Sequence, residues 1–191
     1  MKSLRKAAPR CTGQLLDALL DPGQDPVVRR RIPRVLRATP TQRAADGLLC
    51  GLRDERLDLR YRCAQALVRM KKENPRLAIS REEAVTAALR EIALGVQSGR
   101  SLDHVFAILS LVLEMEPLEI ALRALRRGDT PLRGTALEYL ENVLPDAVRK
   151  GLWPHLGSPG RPAPSGRSHE EIRDDLLRST VGSRRSMQKE P

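Results

Sequence analysis

The chain has 191 residues, only 2% aromatic side chains and a formal net charge of +10, with a pI near 10.3. Its apolar residues are mostly Leu, Ala and Val, which suit packing between helices, whereas sheets favour β-branched and aromatic residues. A body of about 150 residues buries about 70% of its unfolded surface without metal or disulfide support. The composition therefore argues against a sheet-based or disulfide-stapled fold, and the charge favours an anionic partner.

No segment predicts a membrane span or a secretory signal. No apolar run approaches the length of a transmembrane helix, and the start, MKSLRKAAPRCTG, is positively charged but lacks an apolar core. Cys11, Cys50 and Cys63 form no CxxC pair. Cys50 and Cys63 stand among apolar residues at helical spacing, which is typical of buried thiols in a reducing compartment. We therefore expect a cytoplasmic protein that can lie at the inner face of a membrane.

Helical periodicity runs through most of residues 14–156, and no stretch alternates like a strand. Thr41 and the capping box from Ser80 to Glu83 predict two helix starts. The predicted helices are 14–20, 26–38, 42–53, 56–71, 81–98, 102–115, 117–127, 131–144 and 146–153. Because their connections are short, we expect consecutive helices to pack as antiparallel neighbours.

The two ends of the chain differ from this helical region. Residues 1–13 are predicted as a basic N-terminal arm, and 157–167, GSPGRPAPSGR, as a flexible linker. A second capping box, Ser168 to Glu171, predicts a short helix over 168–180. The polar residues 181–191 predict a disordered tail.

Three segments, 20–37, 52–69 and 126–143, repeat one pattern. With Arg29, Arg60 and Arg133 in register, apolar residues recur one position before, three after and seven after the arginine. In the first segment these are Val28, Ile32 and Leu36, in the second Leu59, Cys63 and Leu67, and in the third Leu132, Ala136 and Leu140. The turns before the arginines contain Asp25, Asp54 and Asp129. One helix pair cannot bury such a stripe alone, so stacked pairs are predicted.

This pattern of a turn aspartate and an apolar–arginine pair at the start of a second helix resembles the HEAT-repeat family. The resemblance covers about residues 14–156. It implies an all-α, right-handed α-solenoid of about four antiparallel helix pairs, in which the Asp and Arg pair between neighbouring repeats and the second helices line the concave face. The helix pair within 81–115 lacks the Asp…Arg signature, which leaves its register open.

A narrower likeness concerns RRRIPRVLR, LRYRCAQAL and LRGTALEYLENVLP. These stretches are similar to the soluble HEAT region of certain bacterial transporter-like membrane proteins related to nucleotide translocases. The likeness implies a transporter-associated, regulatory part of a membrane protein. The helix at 168–180 would then be the first helix of a truncated further repeat.

No arrangement of residues predicts catalysis, a cofactor or a metal site. His104, His155 and His169 are too far apart in sequence to predict a ligand pair. The phosphate-binding, nucleophile-elbow and zinc-protease motifs are missing. We therefore expect a non-enzymatic interaction or scaffold domain without cofactors.

The stretch DPVVRRRIPRVLR, residues 25–37, carries the strongest local charge. Its extra arginines occupy the variable outer positions of the repeat, and the matching positions of the last repeat are neutral or acidic, so the charge is local. The predicted partner-binding residues are Arg30, Arg31, Arg34 and Arg37 with Arg62 and Gln65 of the next repeat. We expect them to meet an acidic protein surface. Nucleic acid, as for HEAT-like DNA glycosylases, and an anionic membrane surface remain as alternatives.

Overall fold

The computed structural model describes residues 2–96, 99–127, 130–156 and 166–186, and these residues form helices and loops without a strand. The α-helices are α1 (Lys2–Leu20), α2 (Pro26–Leu36), α3 (Gln42–Gly51), α4 (Leu57–Glu73), α5 (Arg81–Ala93), α6 (Gly99–Leu109), α7 (Met115–Arg127), α8 (Thr130–Val143), α9 (Asp146–Leu152) and α10 (His169–Ser186). The prediction of an all-α fold is confirmed. Over the described ranges, no helix combines the length and the apolar character that crossing a membrane requires.

Contacts divide the chain into two compact units. Unit 1 comprises Met1–Ala88 and Ala107–Val112, and unit 2 comprises Leu89–Phe106 and Leu113–Pro191. The division passes through α5 and α6, each of which contributes residues to both units. The repeat region predicted over 14–156 therefore includes parts of both units.

Unit 1 is built from two helix pairs. Helix α1 packs against α2, and α3 packs against α4. The pairs lie side by side, because α1 also contacts α3 and α2 also contacts α4. Fully buried apolar side chains fill the space between them, including Leu19, Leu36, Leu48, Leu67 and Met70. This burial supplies the main stabilising contribution of the unit.

Two glycines on α3 allow the helices of unit 1 to approach closely. A Cβ at Gly47 would overlap the side chain of Leu16 on α1. A Cβ at Gly51, one turn later, would lie 2.7 Å from the Sγ atom of Cys63 on α4. Both glycines therefore serve packing between helices, at positions where any side chain would have to displace a neighbour.

In unit 2, α8 packs against α7, and α10 packs against both of them. The buried side chains of these helices include Leu118, Ala121, Tyr139, Leu140, Ile172 and Leu176. Helix α9 buries Val148 and Leu152 and continues into a 3-10 helix, Trp153–Leu156. The unit therefore holds its C-terminal helix by apolar burial as well as by the polar contacts described below.

The predicted helix starts are confirmed by their caps. Thr41 accepts a hydrogen bond from the backbone N–H three residues later, at 3.3 Å. Ser80 Oγ accepts from the N–H of Glu83 at 3.2 Å. At α10 the box is reciprocal, because Ser168 Oγ accepts from Glu171 N at 3.2 Å and Glu171 Oε2 accepts from Ser168 N at 2.8 Å. Local turn chemistry is therefore sufficient to place these starts.

Several helix ends differ from the prediction. Residues 2–13, predicted as a basic arm, form the first part of α1, in keeping with the helix propensity of their Leu, Lys, Arg and Ala residues. Residues 181–186, predicted as part of a disordered tail, continue α10. The rest of that tail, 187–191, and residues 157–165 of the predicted linker lie outside the described residues.

Helices α5 and α6 end earlier than their periodicity predicts. Helix α5 ends at Ala93 because Gly95 adopts a φ of 100° and its N–H bonds to Ile92 O at 3.1 Å, a glycine-dependent helix stop. Helix α6 ends at Leu109, where tighter turns replace the α-helical bonds of the next residues. Beyond α6 the apolar pattern still reflects burial, since Leu111 is 3% exposed, whereas beyond α5 it does not, since Leu94 is 58% exposed.

Two predictions of burial are wrong. Val28, expected to face the core, is 43% exposed, because it lies in the first turn of α2 beside the exposed turn 21–25. Its counterpart Leu59 is buried, as expected. Cys50, expected to be a core thiol, is exposed, whereas Cys63 is buried. Both residues lie in the first or last turn of a helix, where the side chain stays exposed although the apolar pattern continues.

Candidate interaction surface

The arginines that define the repeat register are anchored to main-chain carbonyl groups. Arg29 is buried, donates from Nε to Leu19 O at 2.9 Å and forms an ion pair with Asp54. Arg60 is also buried, and its Nη1 donates to the carbonyls of Asp54 and Glu55 at 2.9 and 2.8 Å. Each guanidinium thus ties its own helix to the segment before it.

Arg133 makes the corresponding contact in unit 2. Its Nη1 donates to Leu125 O, near the end of α7, at 2.9 Å, and its Nη2 donates to Leu156 O. Like Arg29, it therefore joins the end of the preceding helix to a later segment of the chain. The three predicted repeat arginines share one structural role and are not free to bind a partner.

The turn aspartates do not share one role. Asp25 is exposed and caps α2, accepting from Val27 N at 2.7 Å. Asp54 accepts from Arg56 N at 2.9 Å through Oδ1 and pairs with Arg29 through Oδ2. The ion pair therefore joins the arginine of one segment to the aspartate of the next. Asp129 lies outside the described residues.

Helix α2 carries a row of arginines on its outer side. Arg30, Arg34 and Arg37 follow each other at spacings of four and three residues, so they lie on one side of the helix. Arg30, Arg31 and Arg34 are exposed, and Arg37 is partly exposed. Among the described residues, Arg31, Arg34 and Arg37 have no ion-pair or side-chain hydrogen-bond partner. Their guanidinium groups are available to a ligand.

A second row lies on α4, next to α2. Asp58, Arg62, Gln65 and Arg69 recur at helical spacing, and the last three are exposed. The Asp58 carboxylate links the rows, with Oδ2 3.1 Å from Arg62 Nε and 3.9 Å from Arg30 Nε. Ion pairs at this degree of exposure contribute about 0–1 kcal/mol. Arg30 and Arg62 can therefore exchange Asp58 for the carboxylate of a partner at low cost.

We call this surface the basic face, and define it by Arg30, Arg31, Arg34, Arg37, Asp58, Arg62, Gln65 and Arg69. Six arginines and one aspartate give it a formal charge of +5. Guanidinium groups bind carboxylates through two parallel hydrogen bonds, which gives directional as well as electrostatic recognition. The structure thus brings all six predicted partner-binding residues onto two adjacent helices of unit 1.

Two half-open clefts adjoin the basic face at the start of α4. Their volumes are about 370 and 200 Å³, and both are lined by Arg29 and Arg56. The larger cleft has an apolar wall of Leu20 and Pro22 and a rim that includes Arg53. Both clefts are lined by three arginines, together with Asp54 and Glu55 in the larger cleft and Asp58 in the smaller.

The matching positions of unit 2 do not continue the basic face. They are Gly134, Thr135, Glu138 and Glu141, none of which is basic. Glu138, which corresponds in register to Arg34 and Gln65, is 8% exposed and forms an ion pair with Arg167. The row of basic residues at the outer positions of α2 and α4 is therefore not continued at the matching positions of α8.

Three buried titratable groups, Cys63, His104 and Glu91, lie outside the basic face. Burial, reinforced by the Asp54 carboxylate and opposed by Arg29, raises the pKa of the Cys63 thiol from 9.0 to about 12. In unit 2, His104 Nε2 lies 3.5 Å from Glu91 Oε1, and both side chains are buried. No group of three or more metal-ligating side chains occurs in the part of the chain that the structure describes. A buried thiol with this pKa is inert as a nucleophile near neutral pH.

Three features described above were not predicted from the sequence. They are the carboxylate of Asp58 between the two rows, the side chain of Arg69 and the ion pair between Glu138 and Arg167. Asp58 could have been found, because an acid four residues before Arg62 is a standard helical pair. Arg69 continues the same row by one more turn and could also have been found. The ion pair between Glu138 and Arg167 could not be predicted from local sequence, since the two residues are far apart in the chain.

The chain matches no family model, no curated protein and no solved structure.

Proposed function

We propose that the chain is a HEAT-like repeat protein that binds an acidic protein surface through the basic face. The observation that carries the proposal is the pair of adjacent arginine rows on α2 and α4, in which Arg31, Arg34 and Arg37 lack an ion-pair partner among the described residues. Exposed arginines without partners interact with carboxylates more readily than arginines already paired. The role is one of binding, with no catalytic step.

The repeat assignment is supported by the shared role of the register arginines. Arg29, Arg60 and Arg133 each donate to carbonyl groups of the segment that precedes their helix. In unit 1 the helix pairs α1–α2 and α3–α4 lie side by side, with α2 next to α4. We infer a right-handed α-solenoid of about four helix pairs, whose second helices form the binding side.

The charge of the basic face favours an extended acidic partner, such as a helix or loop with several carboxylates. Complementary charge accelerates association and selects the partner, and its effect weakens as salt screens it. Nucleic acid remains an alternative for the same residues. Single-strand binding uses aromatic side chains between basic ones, and Tyr61 is the one aromatic residue next to these rows in the sequence.

The test compares three fluorescent probes of similar net charge at low salt. They are a Glu-rich amphipathic helical peptide, a single-stranded oligonucleotide and vesicles containing phosphatidylglycerol. We expect wild-type protein to bind the peptide most tightly. Arg30→Glu/Arg34→Glu/Arg62→Glu should weaken that binding about a hundredfold or more, since each reversed charge repels the partner.

The control variant makes the same change of charge away from the basic face. Arg76, Arg81 and Arg123 are exposed, so Arg76→Glu/Arg81→Glu/Arg123→Glu changes the total charge equally. This variant should retain most of the peptide binding. Equal loss in both variants would show that only net charge matters and would refute a specific face. Preferential binding of the oligonucleotide, abolished by the first variant alone, would replace the protein partner with nucleic acid.

A further inference from the structure

Apolar side chains are exposed at one end of the helix pair α1–α2. Among the described residues, four large apolar side chains are 42–58% exposed: Leu20, Val27, Val28 and Leu94. The first three fall within nine residues, at the end of α1 and in the first turn of α2, whereas Leu94 lies alone after α5. Single exposed apolar residues are common on proteins, but a group of them marks a contact surface more often. We call Leu20, Val27 and Val28 the apolar edge.

The apolar edge continues into the arginine row of α2. Val27 precedes Arg30 by three residues and Arg31 by four, so it lies on the same side of the helix, one turn before them. Arg34 follows one turn later. From its N-terminal end, the exposed side of α2 is therefore apolar over one turn and basic over the next two.

The two clefts at the start of α4 connect the apolar edge with the basic face on the other side. Leu20 lines the larger cleft, and Arg30 and Asp58 of the basic face line the smaller one. Arg56 lines both clefts and is exposed. Its guanidinium group has no ion-pair or side-chain hydrogen-bond partner among the described residues. An arginine that is available to a carboxylate therefore lies between Leu20 and Arg30.

Apolar residues beside arginines select a ligand by two properties at once. Carboxylates pair with guanidinium groups, and burial of an apolar side chain adds affinity that salt does not screen. Protein interfaces commonly combine an apolar centre with a polar rim. Helices that lie in a membrane surface instead carry apolar residues along the whole of one exposed face, and α2 has exposed apolar residues in its first turn only. This distribution favours a protein ligand.

We propose that the apolar edge is the anchor site of the basic face, and that it fits an acidic helix with large apolar side chains one turn away from its carboxylates. The inference rests on the function proposed above and specifies which acidic partner is selected. Because an α-helix rises about 1.5 Å per residue, Val27 lies about 6 Å from Arg31 and about 10 Å from Arg34 along α2. A partner helix that lies along α2 matches these distances with an apolar residue at one position and glutamates four and seven positions from it.

Two fluorescein-labelled peptides of identical composition test this pattern on the full chain. Both are helical and carry glutamates on one face. In the matched peptide two leucines continue that face by one turn, and in the mismatched peptide the same leucines lie on the opposite face. Wild type should bind the matched peptide at least about tenfold more tightly, because burial of a leucine side chain contributes at least this factor. The ratio of the two dissociation constants should not decrease between about 50 and 200 mM NaCl, since salt does not screen an apolar contact.

The variant Val27→Ser/Val28→Ser removes the apolar edge from α2 without changing the charge. It should bind the matched peptide about tenfold more weakly than wild type does, and the mismatched peptide with unchanged affinity. Leu94→Ser, the control, removes another exposed apolar side chain and should retain the preference. Circular dichroism checks folding. If the double variant does not fold, Leu20→Ser takes its place with the same expected loss of preference.

The outcomes separate this inference from the proposed function. Equal affinity of wild type for both peptides, with binding lost in Arg30→Glu/Arg34→Glu/Arg62→Glu, would overturn the anchor site and leave the basic face intact. Binding of neither peptide would overturn both. Sedimentation and the phosphatidylglycerol vesicles test the other possible occupants of the apolar edge. If Val27→Ser/Val28→Ser abolishes self-association or vesicle binding while wild type shows no preference between the peptides, the edge belongs to a second copy or to a membrane, and the proposal is wrong.

Discussion

At the scale of single residues, adjacent arginines on α2 serve different purposes. Arg29 is buried and pairs with Asp54, whereas Arg30 is half exposed, with its Nε atom 3.9 Å from Asp58 Oδ2. Removing one member of a buried pair leaves a charge without compensation and costs about 3–5 kcal/mol. Substitutions at exposed positions usually change stability by about 0.5 kcal/mol or less. Of these two neighbouring residues, the buried Arg29 therefore contributes to stability far more than the exposed Arg30.

The first prediction concerns the register arginines. Arg29→Met should lower the free energy of unfolding by about 3–5 kcal/mol, and Arg60→Met and Arg133→Met by about 1–3 kcal/mol each, because partly buried carbonyl groups lose their donors. Arg34→Met, the matched control, should change it by about 0.5 kcal/mol or less. Urea unfolding followed by circular dichroism measures all four. A neutral Arg133→Met would contradict the equivalence of the three repeat positions.

The second prediction concerns the cysteines. The thiol of Cys63, with its pKa raised from 9.0 to about 12, should resist iodoacetamide at about pH 8 in the native state, while the exposed Cys50 reacts. Mass spectrometry of digested protein locates the label. Equal labelling of Cys63 and Cys50 under native conditions would contradict the burial of Cys63.

The same pKa shift makes stability depend on pH. Between about pH 9 and 12 the native Cys63 holds a proton that the unfolded chain loses, so the free energy of unfolding falls as the pH rises through this window. The contribution is fully present below pH 9. Urea titrations at pH 8 and 10.5 should show a smaller decline in Cys63→Ala than in wild type. Identical declines would count against the raised pKa.

At the scale of helices, α3 can pack closely against α1 and α4 because two of its residues are glycines. Gly47 faces Leu16 on α1 and Gly51 faces Cys63 on α4, and neither site has room for a Cβ. Alanine is normally the better helix former, by about 1 kcal/mol. Crowding in a packed core costs about 1–3 kcal/mol, which outweighs that gain where the neighbour cannot move.

The third prediction therefore pairs two glycine substitutions of opposite sign. Gly47→Ala should lower the free energy of unfolding by up to about 2 kcal/mol, because the crowding cost of about 1–3 kcal/mol is reduced by the helical gain of about 1 kcal/mol. Gly134→Ala on α8 should raise the free energy of unfolding by about 0.5–1 kcal/mol, because a Cβ at this position would meet no neighbouring atom within 4 Å. Thermal and urea unfolding give both values. Stabilisation by both substitutions would mean that α3 is not held against α1 as described.

Much at this scale could be predicted from the sequence, because the deciding information is local. Thr41, Ser80 and Ser168 cap helices within three residues of themselves, and apolar periodicity shows which faces are buried. Helix ends such as Gly95, and the exposure of Val28, depend on what the rest of the chain places next to them. For the basic face, helical spacing was enough to find Asp58 and Arg69 beside the predicted residues, but the contact of Asp58 with Arg30 depends on the packing of α2 on α4.

At the scale of the whole molecule, charge is distributed unevenly along the chain. Residues 1–43 contain ten basic and three acidic residues, a formal +7 of the total +10. A concentrated charge attracts anionic partners to one region and raises their rate of association. Exposed charges are screened over a distance of about 8 Å at physiological salt. Binding through the basic face should therefore depend on ionic strength.

The fourth prediction is that affinity for the Glu-rich peptide falls with salt. Its dissociation constant should rise about tenfold between about 50 and 200 mM NaCl, because salt screens the exposed arginines. Fluorescence anisotropy measures the effect. The triple glutamate variant of the basic face should show a much flatter dependence, and the Arg76/Arg81/Arg123 control the full one. A salt-independent affinity would indicate an apolar contact instead.

The position five residues after each register arginine holds Arg34 on α2, Gln65 on α4 and Glu138 on α8. These side chains are positive, neutral and negative on the same helical scaffold, and Arg34 and Gln65 are exposed without side-chain partners among the described residues. Arg34 and Gln65 can therefore be replaced one at a time with little effect on folding, which would vary the charge of this surface without changing the scaffold. For a protein engineer, α2 and α4 offer sites at which libraries can be randomised while Arg29 and Arg60 stay fixed.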